Sequence, residues 1–110
     1  MHVLVEWWNA RPAWAALSAE DRRAYVAQLG PAIEQLMGLG IEIVAFAQNT
    51  DPSPQRAGYD YLAVWTLPDA DTVATFHDAV TQAGWHDYFD QVNASGEVQS
   101  PDVVLGALAQ

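Results

Sequence analysis

The chain has 110 residues, 51% of them hydrophobic, with fourteen acids, four arginines, no lysine and no cysteine. That length suits one domain over residues 1–110 with a sizeable core, and the lack of cysteine excludes disulfides and thiolate chemistry. A formal charge of −10 repels nucleic-acid phosphate and anionic lipid, so neither nucleic acid nor a membrane is expected as a partner. No apolar run approaches the ~20 residues of a membrane span, and the N-terminus lacks a basic-then-apolar leader pattern. A cytoplasmic protein is the expectation. The acids are scattered, without the dense spacing of a calcium loop.

His2 to Asn9 (HVLVEWWN) reads as the first strand. Val3, Val5 and Trp7 alternate with Leu4, Glu6 and Trp8, so both faces are largely apolar, as in a strand covered on both sides. Ala10 to Leu17 is a connection with one helical turn after Pro12. Ser18 offers an N-cap, with Glu20 and Asp21 in the first turn where the helix dipole favours acids. Val26, Leu29, Ile33, Leu36 and Met37 form the apolar stripe of the helix that follows. Pro31 predicts a kink inside it, and Gly38 and Gly40 end it.

Ile41 to Asn49 (IEIVAFAQN) is the second strand and Tyr59 to Leu67 (YDYLAVWTL) the third. The two prolines and the glycine of Thr50 to Gly58 make a hairpin with a long loop between them. Asp69 or Asp71 caps a second helix that buries Val73, Phe76 and Val80 and stops near Gly84. WHDYFD, residues 85–90, suits one more turn, with a fourth strand near 91–95 or 97–99. Ser100-Pro101 opens a short terminal helix, about 101–109.

This order predicts an α+β, ferredoxin-like β-α-β-β-α-β fold: a four-stranded antiparallel sheet with two helices on one face. The opposite face is expected to carry Leu4, Glu6 and Trp8, Val44, Phe46 and Gln48, and Tyr61, Ala63 and Trp65. So apolar a face needs a cover, and a second copy in an isologous homodimer is the economical one.

With these aromatic strands, this order and the AGWHDYF segment, residues 2–99 resemble the dimeric α+β barrel superfamily. That group includes antibiotic-biosynthesis-type monooxygenases, EthD-like and YCII-like proteins, stress-responsive barrels and haem-handling relatives. The chain also resembles short bacterial proteins with VEWWN-like and YDYLAVW-like strands. A shared fold does not establish a reaction.

The topology gathers Trp8, Asn9, Arg11, Arg56, Tyr59, Trp85, His86 and Tyr88 at one pole. His86 there could serve as an acid or base near neutral pH, or be a solvated histidine just past a helix end. His77, beside the Val73–Phe76–Val80 stripe, either lines a cavity between helix and sheet or is satisfied in the core. Glu6, mid-strand among apolar neighbours, would have its pKa raised by desolvation. That suits a general base or a carboxylate paired inside the dimer interface. Arg11 and Arg56 could anchor an anionic ligand or pair with nearby aspartates.

The resemblance implies two uses for Asn9, Trp65 and His77. They match in type and element the Asn, Trp and His of the haem-degrading branch, although Trp7 and Trp8 crowd Asn9 and TFHDAV is not that branch's sequence. Asn9 and Trp65 with Tyr61 also look like the sites of cofactor-free monooxygenases, in which a bound aromatic substrate's carbanion reacts with oxygen. The leading expectation is a homodimeric enzyme of this second kind, without cofactor, for an aromatic or polyketide-like small molecule. Its catalytic residues would be Asn9, Trp65, His77 and His86. Glu6, Trp8, Arg11, Phe46, Arg56, Tyr59, Tyr61 and Trp85 would bind substrate. A non-catalytic ligand-binding or stress-associated dimer is the alternative, and a haem binder the third. Three separated histidines without HxH or HxxxH spacing make no metal site.

Overall fold

The computed structural model describes residues 1–110. Four strands, β1 (His2–Ala10), β2 (Glu42–Gln48), β3 (Tyr61–Leu67) and β4 (Phe89–Glu97), form one antiparallel sheet in the order β2-β3-β1-β4. The first and third strands are central, as right-handed crossovers require. Five helices accompany them: α1 (Pro12–Ala15), α2 (Ala19–Met37), α3 (Ala70–Gln82), α4 (Trp85–Tyr88) and α5 (Pro101–Leu108). The fold is the expected ferredoxin-like α+β arrangement. No helix is long and apolar enough to cross a membrane.

Helix starts follow the predicted chemistry. Ser18 Oγ accepts the Asp21 amide at 3.0 Å, Asp69 Oδ1 the Thr72 amide at 2.8 Å, and Ser100 Oγ the Val103 amide at 3.3 Å. Each bond satisfies an amide that has no partner within its own helix. Gly40, at φ +89°, makes the turn into β2, and a side chain there would also press against Pro68. Helix α2 continues through Pro31 as one element.

Three details differ from the sequence reading. The fourth strand is one nine-residue element, Phe89–Glu97, fully paired with β1. The inward side of α2 centres on Leu36 and Ile33, whereas Val26 and Met37 are about half exposed. The third difference matters most: the two sheet faces are exchanged. Leu4, Glu6, Ala63 and Trp65 lie beneath the helices, and the core packs there with Leu36, Ile41, Leu67, Val73 and Phe76. Alternation then puts Val3, Val5 and Trp7 on the outer face, opposite Thr66, Val64 and Leu62 of β3 and Gly96, Ala94 and Val92 of β4. Because both sides of β1 are apolar, periodicity separates them into two sets without saying which set meets the helices.

Strand β2 adds a register shift between Ile43 and Ala45. Ile43 pairs with Trp65 and Phe46 with Ala63, so residues three apart share the helix side. A bulge breaks the two-residue period in this way, so alternation does not carry from Phe46 back to Ile43.

Candidate functional site

A cavity of about 480 Å³ lies between α2, α3 and the sheet. It is within the size range of small-molecule sites. Thirteen of its seventeen wall residues are hydrophobic, and the polar four are Glu6, Gln35, Thr75 and Gln82. Leu39 and Phe46, also in the wall, are about half exposed (53% and 51%).

Glu6 is the only charged residue of this wall, and it is 6% exposed. Trp65 Nε1 donates to Glu6 Oε1 at 2.7 Å, and Gln91 Nε2 donates to Oε2 at 2.7 Å. Gln91 is itself held: its amide nitrogen also donates to Asn93 Oδ1 at 2.8 Å, and its oxygen accepts from Trp85 Nε1 at 2.7 Å. Burial pushes the Glu6 carboxyl above its ordinary 4.5, and the bonds from Trp65 and Gln91 offset this only in part. No cation takes part. Each carboxylate oxygen has one neutral donor and keeps acceptor capacity.

Aromatic rings continue the wall. Phe46 meets Trp65 edge-to-face at 5.4 Å, Trp8 meets Phe46 at 6.3 Å, and Trp8 meets Trp85 at 5.6 Å. Successive planes differ by 71–76°, so the four rings run edge-to-face, while Trp85 also stacks on Phe89 at 4.1 Å. Phe76 of α3 packs behind Trp65 at 5.0 Å.

Of the residues singled out from the sequence, Glu6, Trp8, Phe46, Trp65 and Trp85 belong to this wall. Tyr61 stacks on Trp8 at 5.8 Å from outside it. The polar pole does assemble, with its groups engaged in holding loops. Asn9 Nδ2 donates to the Gly58 carbonyl at 3.0 Å while its Oδ1 accepts the Asp60 amide at 2.7 Å, clamping β1 to the hairpin loop. Arg56 donates to the Asn49 and Ala57 carbonyls and pairs with Asp60 at 3.2 Å. Arg11 donates to the His86 carbonyl and lies 3.6 Å from Asp90. Tyr59 is half-buried in the same loop, and the His86 side chain is exposed. His77 is half-buried on α3, its ring 6.1 Å from that of Phe76, and is not part of the cavity wall.

The sequence reading missed Gln91. In β4, Gln91, Asn93 and Ser95 pair with Trp8, Glu6 and Leu4, while Val92 and Ala94 fall on the outer face. The alternation in QVNAS carries that signal once the strand is known to be continuous and to adjoin β1.

The donor set does not suit haem. The wall has no histidine, cysteine, methionine or tyrosine to ligate iron, and its single carboxylate is already held by two donors.

Comparison with solved structures agrees with the architecture. A chlorite dismutase from Candidatus Nitrospira defluvii superposes with a TM-score of 0.73 at 17% identity, covering 96% of this chain and 43% of that one. An Arabidopsis thaliana protein superposes with a TM-score of 0.63 at 10% identity, covering 91% and 97% of the two chains. The chain thus spans less than half the length of the chlorite dismutase, and at these identities the likeness is one of fold. No curated protein matches the sequence. The profile of DUF6616, described as a family of unknown function, matches residues 1–110, and the chain belongs to that family.

Proposed function

We propose that the protein is a small-molecule enzyme that holds an apolar, aromatic substrate in the cavity and moves a proton with Glu6. The observation that carries this reading is a buried carboxyl of raised pKa in the wall of an otherwise apolar, ligand-sized cavity. Such a group is poised nearer neutrality than a solvated carboxylate, which is what a general acid or base requires. Trp65 and Gln91 fix its two oxygens. In the finer form, Glu6 removes a proton from an activated carbon or phenol and the substrate carbanion reacts with oxygen, as in a cofactor-independent monooxygenase. Isomerisation or cyclisation would begin with the same proton transfer. Asn9 and Arg56 hold the hairpin loop and stand outside this site.

The test is solvent exchange. A panel of anthrone-like carbon acids and quinols is incubated in deuterated buffer and followed by NMR, with oxygen consumption read in parallel. Enzyme-dependent exchange that disappears in Glu6→Gln supports proton transfer, and oxygen uptake supports the monooxygenase form. Binding without exchange or uptake across the panel would leave a ligand-binding protein instead.

We also propose that a second copy covers the outer sheet face. Val3, Val5, Trp7, Leu62, Val64 and Val92 make that face continuously apolar, and such surfaces are seldom left in water. Sedimentation equilibrium should give a dimer, and Trp7→Glu a monomer. A wild-type monomer at micromolar concentration would remove this part of the reading.

A further inference from the structure

We infer that the cavity selects an apolar organic cation, such as a quaternary or protonated aromatic amine, whose positive centre sits among Glu6, Trp8, Phe46, Trp65 and Trp85. The inference rests on the reading of this cavity as the ligand site and names the class of ligand it takes. Two independent features of the wall converge on it. The first is charge. Glu6 is a buried carboxylate whose two bonded partners, Trp65 and Gln91, are both neutral. An ionised carboxylate removed from water is costly without a counter-charge, and no lysine, arginine or histidine lines the cavity. The missing positive charge is therefore one that a ligand can supply. For the same reason an anion entering the cavity would meet only like charge.

The second feature is the run of aromatic rings in the wall. Trp65, Phe46, Trp8 and Trp85 follow one another edge-to-face at 5.4, 6.3 and 5.6 Å. Near-perpendicular neighbours present aromatic surface in several orientations along the wall, although Tyr61 covers one face of Trp8 and Phe89 one face of Trp85. Aromatic faces attract cations through their quadrupoles, tryptophan most strongly, and aromatic cages hold quaternary ammonium groups. Three of these four rings are tryptophan. A cation beside these rings would meet aromatic surface and the carboxylate together, while its hydrocarbon portion would occupy the apolar wall supplied by Leu36 and Val80.

The test uses ligands of one shape and three charges: phenyltrimethylammonium, its neutral counterpart tert-butylbenzene, and benzenesulfonate. Binding is read by quenching of tryptophan fluorescence and by calorimetry at mildly alkaline pH. The expected result is phenyltrimethylammonium binding at least about tenfold tighter than tert-butylbenzene, with no binding of benzenesulfonate. Glu6→Gln keeps the side-chain shape and an acceptor for Trp65, and gives up the acceptor for Gln91 Nε2. It should erase most of the cation preference and leave tert-butylbenzene affinity in place, with circular dichroism confirming the fold. Trp8→Leu gives an independent arm, expected to weaken the cation more than the neutral ligand. Equal affinity for the cation and the neutral ligand would overturn the inference while leaving the proton-transfer enzyme standing. Failure of all three to bind would remove both the inference and the site beneath it.

Discussion

Two regions of the molecule collect unusual side chains, and they use them differently. At the pole formed by Asn9, Arg11, Arg56, Asp60 and His86, nearly every polar contact ends on a backbone carbonyl, a backbone amide or an exposed aspartate. Beneath α2 and α3, the polar contacts run between side chains, from buried Glu6 to buried Trp65 and half-buried Gln91, and from Gln91 to half-buried Trp85. The pole is a set of staples, and the cavity is where a titratable group is held away from water. Density of chemically capable residue types therefore marks a site poorly. Burial without a counter-ion marks it better.

Mutations should separate the regions by the kind of effect as much as by its size. Largest is Glu6→Gln, expected to lower turnover on any substrate by roughly 10²- to 10⁴-fold, the usual worth of a general acid or base. Its carboxamide nitrogen would face the Gln91 Nε2 donor, so a loss of about 1–3 kcal/mol in folding stability should accompany it. Steady-state rates beside a urea melt check both halves, and a fully active Glu6→Gln protein would move the chemistry elsewhere. Trp65→Phe removes the donor to Glu6 Oε1 and leaves a buried acceptor unpaired. A loss of about 1–3 kcal/mol in urea denaturation is expected near neutral pH, shrinking in acid as the carboxyl becomes protonated.

The pH dependence of stability offers a third measurement. The folded-state pKa of Glu6 lies above its ordinary value of 4.5. Its contribution is therefore fully present below about pH 4.5 and is lost as pH rises through the folded pKa. Wild type minus Glu6→Gln stability should thus fall across that interval, while the shared surface aspartates cancel in the difference. A flat difference would mean that Glu6 is as well solvated folded as unfolded.

At the pole the expected effects are smaller and confined to stability. Asn9→Ala unties the hairpin loop and should cost about 1–2 kcal/mol in urea denaturation, with cavity ligands bound as before. Arg56→Gln breaks an exposed pair with Asp60 and should cost less than about 1 kcal/mol by the same measure. Altered ligand affinity in either variant would erase the distinction between the two regions.

Much of this was legible in the chain. The β-α-β-β-α order, the caps at Ser18, Asp69 and Ser100, and the turn after Pro12 follow from local chemistry, because each depends on neighbours a few residues away. The desolvation of Glu6 could be read from its apolar flanks on β1. The side on which Glu6 stands could not, since Val3, Val5 and Trp7 are as apolar as Leu4 and Trp8. That choice is made by the distant contacts of Phe76 and Leu36. The bulge in β2 was equally hidden, because nothing in EIVAFAQ announces an extra residue. His77 illustrates the opposite error: its place beside the apolar stripe suggested the cavity, but one position along α3 turns a side chain by about 100°, and Phe76 is the residue that faces inward.

The Gln91 carboxamide has one further consequence. Its oxygen is engaged by Trp85 and its nitrogen by both Glu6 and Asn93, so the group cannot be turned end for end without breaking all three contacts. The aim of the carboxyl is consequently inherited from the sheet's edge: slack in β4 becomes wobble at Glu6. An otherwise silent change at Asn93, remote in sequence and absent from the cavity wall, should blur the proton's position before it loosens the fold.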